Sequence, residues 1–180
     1  GAKIIPSRGA WLEFSTDTSG FLGIKVNRQR KVAATTLLRV FGLTDTKDIK
    51  KAFKDIDTGE TKYIEKTLSR DPATNESEAF VEVYRKLRPG DLVSPDAAKE
   101  LIWSMFCNFQ RYDLSKVGRW KSWERLPQLN PVRGGASNRV KPTNKKDNTD
   151  IGKEERVLNL QDILETIKEI IRLNNDPEAI

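Results

Sequence analysis

The apolar residues of this chain change their period once, near residue 33, and that change constrains the fold more than any other feature. Before it, Trp11, Leu12 and Phe14 lead through Thr16-Asp17-Thr18-Ser19-Gly20 into Phe21, Leu22, Ile24 and Val26. Two short apolar runs around a polar, glycine-containing loop predict an antiparallel hairpin with a connection of about five residues. After it, apolar side chains recur at three- and four-residue spacing, the mark of helices with one buried face. Leu37, Leu38 and Phe41 share one side of a helix from Ala33, with Gly42 placed to cap its C-terminus. Ile49, Ala52 and Phe53 predict a second helix over residues 46–54, and Tyr63, Ile64 and Leu68 a short third.

The later helices carry explicit start signals. Asn75 with Glu78 three residues on reads as a capping box, ahead of Ala79, Phe80, Val83, Tyr84 and Leu87. Pro89-Gly90 ends that helix and Ser94-Pro95 opens the next, with Ala97, Ala98, Leu101, Ile102, Met105 and Phe106 on its stripe. Asn159 caps a last helix whose apolar face is Leu160, Ile163, Leu164, Ile167, Ile170 and Ile171. Strands first and helices after predict an α+β fold, mainly helical with an N-terminal antiparallel hairpin, as one domain over 1–180. Tyr84 and Trp103 are expected in the core or at its edge. Residues 130–154 are poor in apolar side chains and rich in Gly, Asn, Lys and Pro, which predicts a flexible insertion in that domain.

Several chemistries are hard to build from this composition. The chain has no histidine, which removes His-based triads, most zinc sites and any His-driven pH switch. Its single cysteine, Cys107, cannot form an internal disulfide and reads as a buried structural thiol. Asp45, Asp48, Asp55 and Asp57 lack a metal-loop pattern, and Arg133-Gly134-Gly135 has neither the spacing nor the context of a phosphate loop. No apolar run approaches the roughly 20 residues that cross a bilayer. The expectation is a soluble, cytoplasmic chain with no cofactor and no catalytic residue of its own.

Charge is the remaining signal. Residues 1–40 carry seven Lys and Arg against two acids, and residues 108–146 carry ten against two, so the rest is net acidic. The second zone interleaves Arg111, Lys116 and Arg119 with Tyr112, Trp120 and Trp123. Cations that neutralise phosphate beside flat rings that stack on bases make a nucleic-acid surface. A solvated basic loop with its tryptophans in the core fits the same residues.

Several segments, in order, resemble the β subunit of bacterial DNA-directed RNA polymerase. They are Ala2-Lys3-Ile4-Ile5-Pro6-Ser7-Arg8-Gly9-Ala10-Trp11-Leu12-Glu13-Phe14, then Lys25-Val26-Asn27-Arg28-Gln29-Arg30-Lys31 with Ala34-Thr35-Thr36-Leu37-Leu38-Arg39. Tyr84-Arg85-Lys86-Leu87-Arg88-Pro89-Gly90-Asp91 follows, then Arg111-Tyr112-Asp113-Leu114-Ser115-Lys116-Val117-Gly118-Arg119, and last Leu160-Gln161-Asp162-Ile163. The resemblance implies an excised lobe region, the second domain of a much longer β subunit, in keeping with a chain that starts at Gly1. In that family the lobe forms one jaw of the cleft around downstream DNA, near the single-stranded non-template strand.

The resemblance also implies roles for particular residues. Trp11 matches a tryptophan that stacks on a non-template base, though a tryptophan buried against the helices is the other reading of that position. Arg8, Arg28, Arg30 and Lys31 match basic positions facing nucleic acid, and Arg111, Lys116 and Arg119 are expected to join them in one DNA-facing wall. Asn27 stands where the family commonly has aspartate, Gln29 where it usually has arginine, and Trp120 and Trp123 also depart from the common pattern. The partners implied are DNA, the other polymerase subunits, the sigma initiation factor and transcription regulators, in a nucleoid-associated cytoplasmic complex. Nucleotidyl transfer and its magnesium would lie in other domains. A stand-alone single-strand-binding module and a docking platform for regulators are the competing functions.

Overall fold

The computed structural model describes residues 1–129 and 151–176. Its sheet has four antiparallel strands in the order β1 (Ala2–Ile4), β2 (Leu12–Thr16), β3 (Leu22–Val26), β4 (Val32–Ala33). The predicted hairpin is its centre, with Leu12 opposite Val26 and Phe14 opposite Ile24. Alternation then does the sorting. Leu12, Phe14, Leu22, Ile24 and Val26 are buried, whereas Lys3, Glu13 and Lys25, also in register, lie across the other face.

Asp17 closes the five-residue loop. Its carboxylate accepts hydrogen bonds from the Ser19 amide and hydroxyl (2.9 and 2.6 Å) and from the Phe21 amide (3.0 Å), and Gly20 takes a φ of +90°. The Ser19 hydroxyl and the Phe21 amide hold that carboxyl down from 3.8 to about 2. A group depressed in the folded state supports folding above its unfolded pKa and loses that support as pH falls through its folded value. The carboxyl-carbon resonance of Asp17 is therefore expected to titrate near pH 2. A midpoint at the ordinary value would mean that this loop cap does not form.

Seven α-helices follow among the described residues: α1 (Ala34–Val40), α2 (Thr46–Phe53), α3 (Tyr63–Ser69), α4 (Glu76–Leu87), α5 (Pro95–Phe106), α6 (Ser115–Arg125) and α7 (Leu160–Asn175). Gly42, at φ +117°, ends α1 as expected, and the amides of Gly42 and Leu43 return to the carbonyls of Arg39 and Leu38. The Asn75 and Ser94 side chains accept the amides of Glu78 and Ala97. The complete reciprocal capping box lies at Asn159 and Asp162; at Asn75 the Glu78 carboxylate instead accepts from the Asn75 side-chain amide. Asp57 caps α3 from six residues upstream, its two oxygens taking the amides of Tyr63 and Ile64.

One core joins these layers. Leu12, Ile24, Leu37, Leu38, Phe53, Val83, Ile102, Phe106, Ile163, Ile167 and Ile171 are buried in it together. Cys107 is half-buried beside it, and burial pushes its thiol pKa up. Trp103 departs from expectation: it is 55% exposed, because the buried side of α5 runs through Ala98, Ile102 and Phe106. Tyr84 packs at the core edge as expected.

The insertion expected over 130–154 lies outside the described residues as far as 150. Its last four residues are placed and belong to the packed domain: Ile151 is 2% exposed, and Lys153–Glu155 form a short 3-10 helix. No described helix is long and apolar enough to cross a membrane.

Candidate nucleic-acid interface

The turn between β3 and β4 organises the site. Asn27 and Arg28 both have positive φ, +49° and +61°. Asparagine tolerates that conformation, whereas arginine takes it at a cost of about 1 kcal/mol where glycine would not. Asn27 grips Trp11 twice: its side-chain oxygen accepts the Trp11 amide and its own amide donates to the Trp11 carbonyl, both at 2.9 Å. The turn thus holds the Trp11 main chain, and the residue is left partly exposed. The Arg28 guanidinium lies 5.2 Å from the centre of the Trp11 ring, a cation–π distance, with Nε 3.7 Å from Glu13. Gly9, Trp11, Asn27 and Arg28 line a shallow depression of about 300 Å3.

The second basic zone reaches this depression through residues 7–9. The Ser7 and Arg8 amides donate to the Asp113 carbonyl, and the Asp113 amide donates to the Arg8 carbonyl at 2.8 Å. Gly9 is required there. At φ +122° a Cβ would stand 2.7 Å from the Tyr112 ring and 3.0 Å from the Arg111 carbonyl. So Arg8, Trp11, Asn27, Arg28 and Arg111 are brought into one neighbourhood from three separate stretches of sequence.

Next to it, one aromatic ring gathers three cations. Arg8, Lys153 and Arg156 lie 5.4, 5.6 and 4.8 Å from the centre of Phe109, and Arg8 donates to the Phe109 carbonyl at 2.6 Å. Asp113 balances part of this charge, holding Arg156 through two hydrogen bonds of 2.9 and 2.6 Å. Burial alone would raise its pKa. The bonds from Arg156 and the Ser115 amide, with the charges of Arg156 and Arg8, hold it below the ordinary carboxylate value. Phe109, Lys153 and Arg156 were not singled out in the sequence, since nothing local there signals that a ring at 109 meets cations over forty residues away.

The expected wall is otherwise narrower than the sequence suggested. Arg30, Lys31 and Lys116 are exposed, with the Lys31 stem passing over Gly23 on the outer face of the sheet. Arg119 does not face solvent. It is 2% exposed, and its guanidinium is consumed by Asp162, by the carbonyls of Glu155 and Val157 and by Ser122. Tyr112 (0% exposed) and Trp123 (4%) are likewise interior, so neither ring can stack on a base. Trp120 packs edge-on to Trp123 at 6.3 Å and donates from its indole to Glu124. Trp11 and Phe109 remain as partly exposed rings beside arginines.

Comparison with known proteins identifies the family. A family model described as RNA polymerase Rpb2, domain 2, matches residues 2–134. The chain is 38% identical over 179 residues to the DNA-directed RNA polymerase subunit beta of Dehalococcoides mccartyi. It is 37% identical over 173 residues to proteins of the same name from Syntrophomonas wolfei and Clavibacter michiganensis. These alignments cover 98%, 96% and 96% of this chain but 13% of each relative, so the chain spans about an eighth of their length. A family-model match over residues 2–134, well over half of the chain, shows that the chain belongs to the RNA polymerase Rpb2, domain 2, family.

Proposed function

We propose that this chain is the lobe region of the β subunit of a DNA-directed RNA polymerase and lines the cleft that holds downstream DNA and the non-template strand. One observation carries the reading: Asn27 holds the Trp11 main chain where Trp11 and Arg28 line one depression, with Arg8 and the Arg111 backbone alongside. Exposed Arg8, Arg28, Arg30, Lys31, Arg111 and Lys116 neutralise phosphates, which favours DNA irrespective of its sequence. A base entering the depression stacks on Trp11, while Arg28, held to Glu13 by charge at 3.7 Å, can turn to a phosphate. The work of the domain is positional. Nucleotidyl transfer and its magnesium belong to other parts of the polymerase, whose remaining subunits, sigma factor and regulators complete its partners in the cytoplasm.

The test is made in the assembled enzyme. Trp11→Ala is expected to weaken start-region contact with the non-template strand by roughly 1–3 kcal/mol, the worth of one stacked base. The readout is cross-linking of that strand to the lobe. Equal yields in the variant and the parent would remove Trp11 from the interface.

A further inference from the structure

A second cationic site lies at the other end of the sheet. The Asn27–Trp11 clamp stands at one end of the β2–β3 pair, and the Gly20 loop, packed against Thr61 and Lys66, at the other. Five residues of strand separate them, about 16 Å. Beyond that loop, between the end of α2 and the start of α3, is a cleft of about 340 Å3.

Lys50, Lys51, Lys54 and Lys62 converge on this cleft. None of them takes part in an ion pair among the described residues. The cleft has two acids, and one is already committed: both Asp57 oxygens accept backbone amides of α3. Glu65 is the other, exposed at the rim. Lysines in the last turn of α2 complement the helix dipole, which accounts for Lys50 and Lys51 by themselves. It does not account for Lys62, which comes from outside that helix and is held toward the cleft by a 3.3 Å hydrogen bond to the Asp57 carbonyl.

We propose that this cleft binds a phosphoryl-bearing ligand. Lysines act as movable point charges suited to clustered phosphate oxygens, whereas carboxylate recognition favours the flat arginine fork. The apolar floor offers no ring to a nucleobase, since Phe53 is 1% and Ile64 2% exposed. Recognition therefore rests on the phosphates, whether of a free polyphosphate or nucleotide or of a nucleic-acid backbone. The site is independent of the Trp11 surface.

The experiment titrates the 180-residue chain with tripolyphosphate at low salt and follows the amide resonances of Lys50, Lys51, Lys54 and Lys62. The parent is expected to bind, and the double variant Lys50→Gln, Lys54→Gln to bind about tenfold more weakly or worse, as two charge-assisted contacts are lost. Repeated at about 0.15 M salt, where the Debye length falls to about 8 Å, Arg28→Gln should leave this affinity within about twofold, because exposed charges farther away than that are screened. Both lysines are exposed, so the unfolding midpoint of the double variant should equal that of the parent. ATP matching tripolyphosphate assigns the site to free ligands; duplex DNA shifting the same resonances at lower concentration assigns it to a backbone. No binding by the parent, full affinity in the double variant, or equal binding of a poly-glutamate peptide would each overturn the proposal.

Discussion

Arg119→Ala is expected to lower the stability of this chain by about 3–5 kcal/mol, the cost of breaking a buried ion pair from one side. Arg119 and Asp162 are both interior, with side chains 2% and 4% exposed. The guanidinium grips both carboxylate oxygens and also donates to the carbonyls of Glu155 and Val157, so alanine would strand one charge and two carbonyls away from water. The damage would spread, because Asp162 also closes the capping box that starts α7. Denaturant unfolding of Arg119→Ala and Arg111→Ala checks this. Arg111 is exposed, and its variant should stay within about 0.5 kcal/mol of the parent. An Arg119→Ala midpoint matching the parent would show that the pair adds nothing. The comparison also separates two kinds of change: Arg119→Ala acts through the fold, Arg111→Ala at the surface alone.

Asp71→Ala should be of similar size. Asp71 is 1% exposed at its side chain and gathers α1: it accepts from the hydroxyls of Thr35 (2.7 Å) and Thr36 (2.6 Å), from Arg39 (3.3 Å) and from the Ala73 amide (2.9 Å). Arg39 is as buried as its partner and reaches on to the Thr44 carbonyl and the Thr46 hydroxyl. Removing the carboxylate leaves the buried Arg39 charge without its counter-ion and takes from the Thr35 and Thr36 hydroxyls their shared acceptor. The expected loss is again about 3–5 kcal/mol, or on the order of 10 °C in Tm for a chain of this length. Asp71→Asn retains an acceptor of the same shape and should lose less. Equal melting of Asp71→Ala and the parent would show that the network is idle. Since α1 follows directly on β4, a loosened α1 should also free the Asn27–Arg28 turn, visible as faster amide exchange there.

What could be read from the sequence followed how each element is specified. The β2–β3 hairpin and the helices with local signals at Gly42, Asn75, Ser94 and Asn159 were legible because period and caps are short-range properties. Helix α6 was not, since its buried positions are Arg119 and Trp123, and an arginine turned inward breaks the apolar pattern that periodicity detects. The same residue was misplaced on the DNA wall. An arginine carries no local mark of a carboxylate waiting 43 residues away. Strands β1 and β4 are three and two residues long, below what alternation can register. At the interface, Trp11 and Arg28 were legible as residue types. Their contact was not, because it depends on a turn whose left-handed backbone only Asn27 hints at.

That turn separates two properties that most recognition surfaces entangle. The main chain of Trp11 is held by an acceptor on residue 27 and by the residue 27 amide. An aspartate there would offer the same acceptor while adding a negative charge to the ledge. Anchorage and electrostatic tone can therefore drift apart in evolution, one substitution at a time, with the hydrophobic interior beneath left untouched.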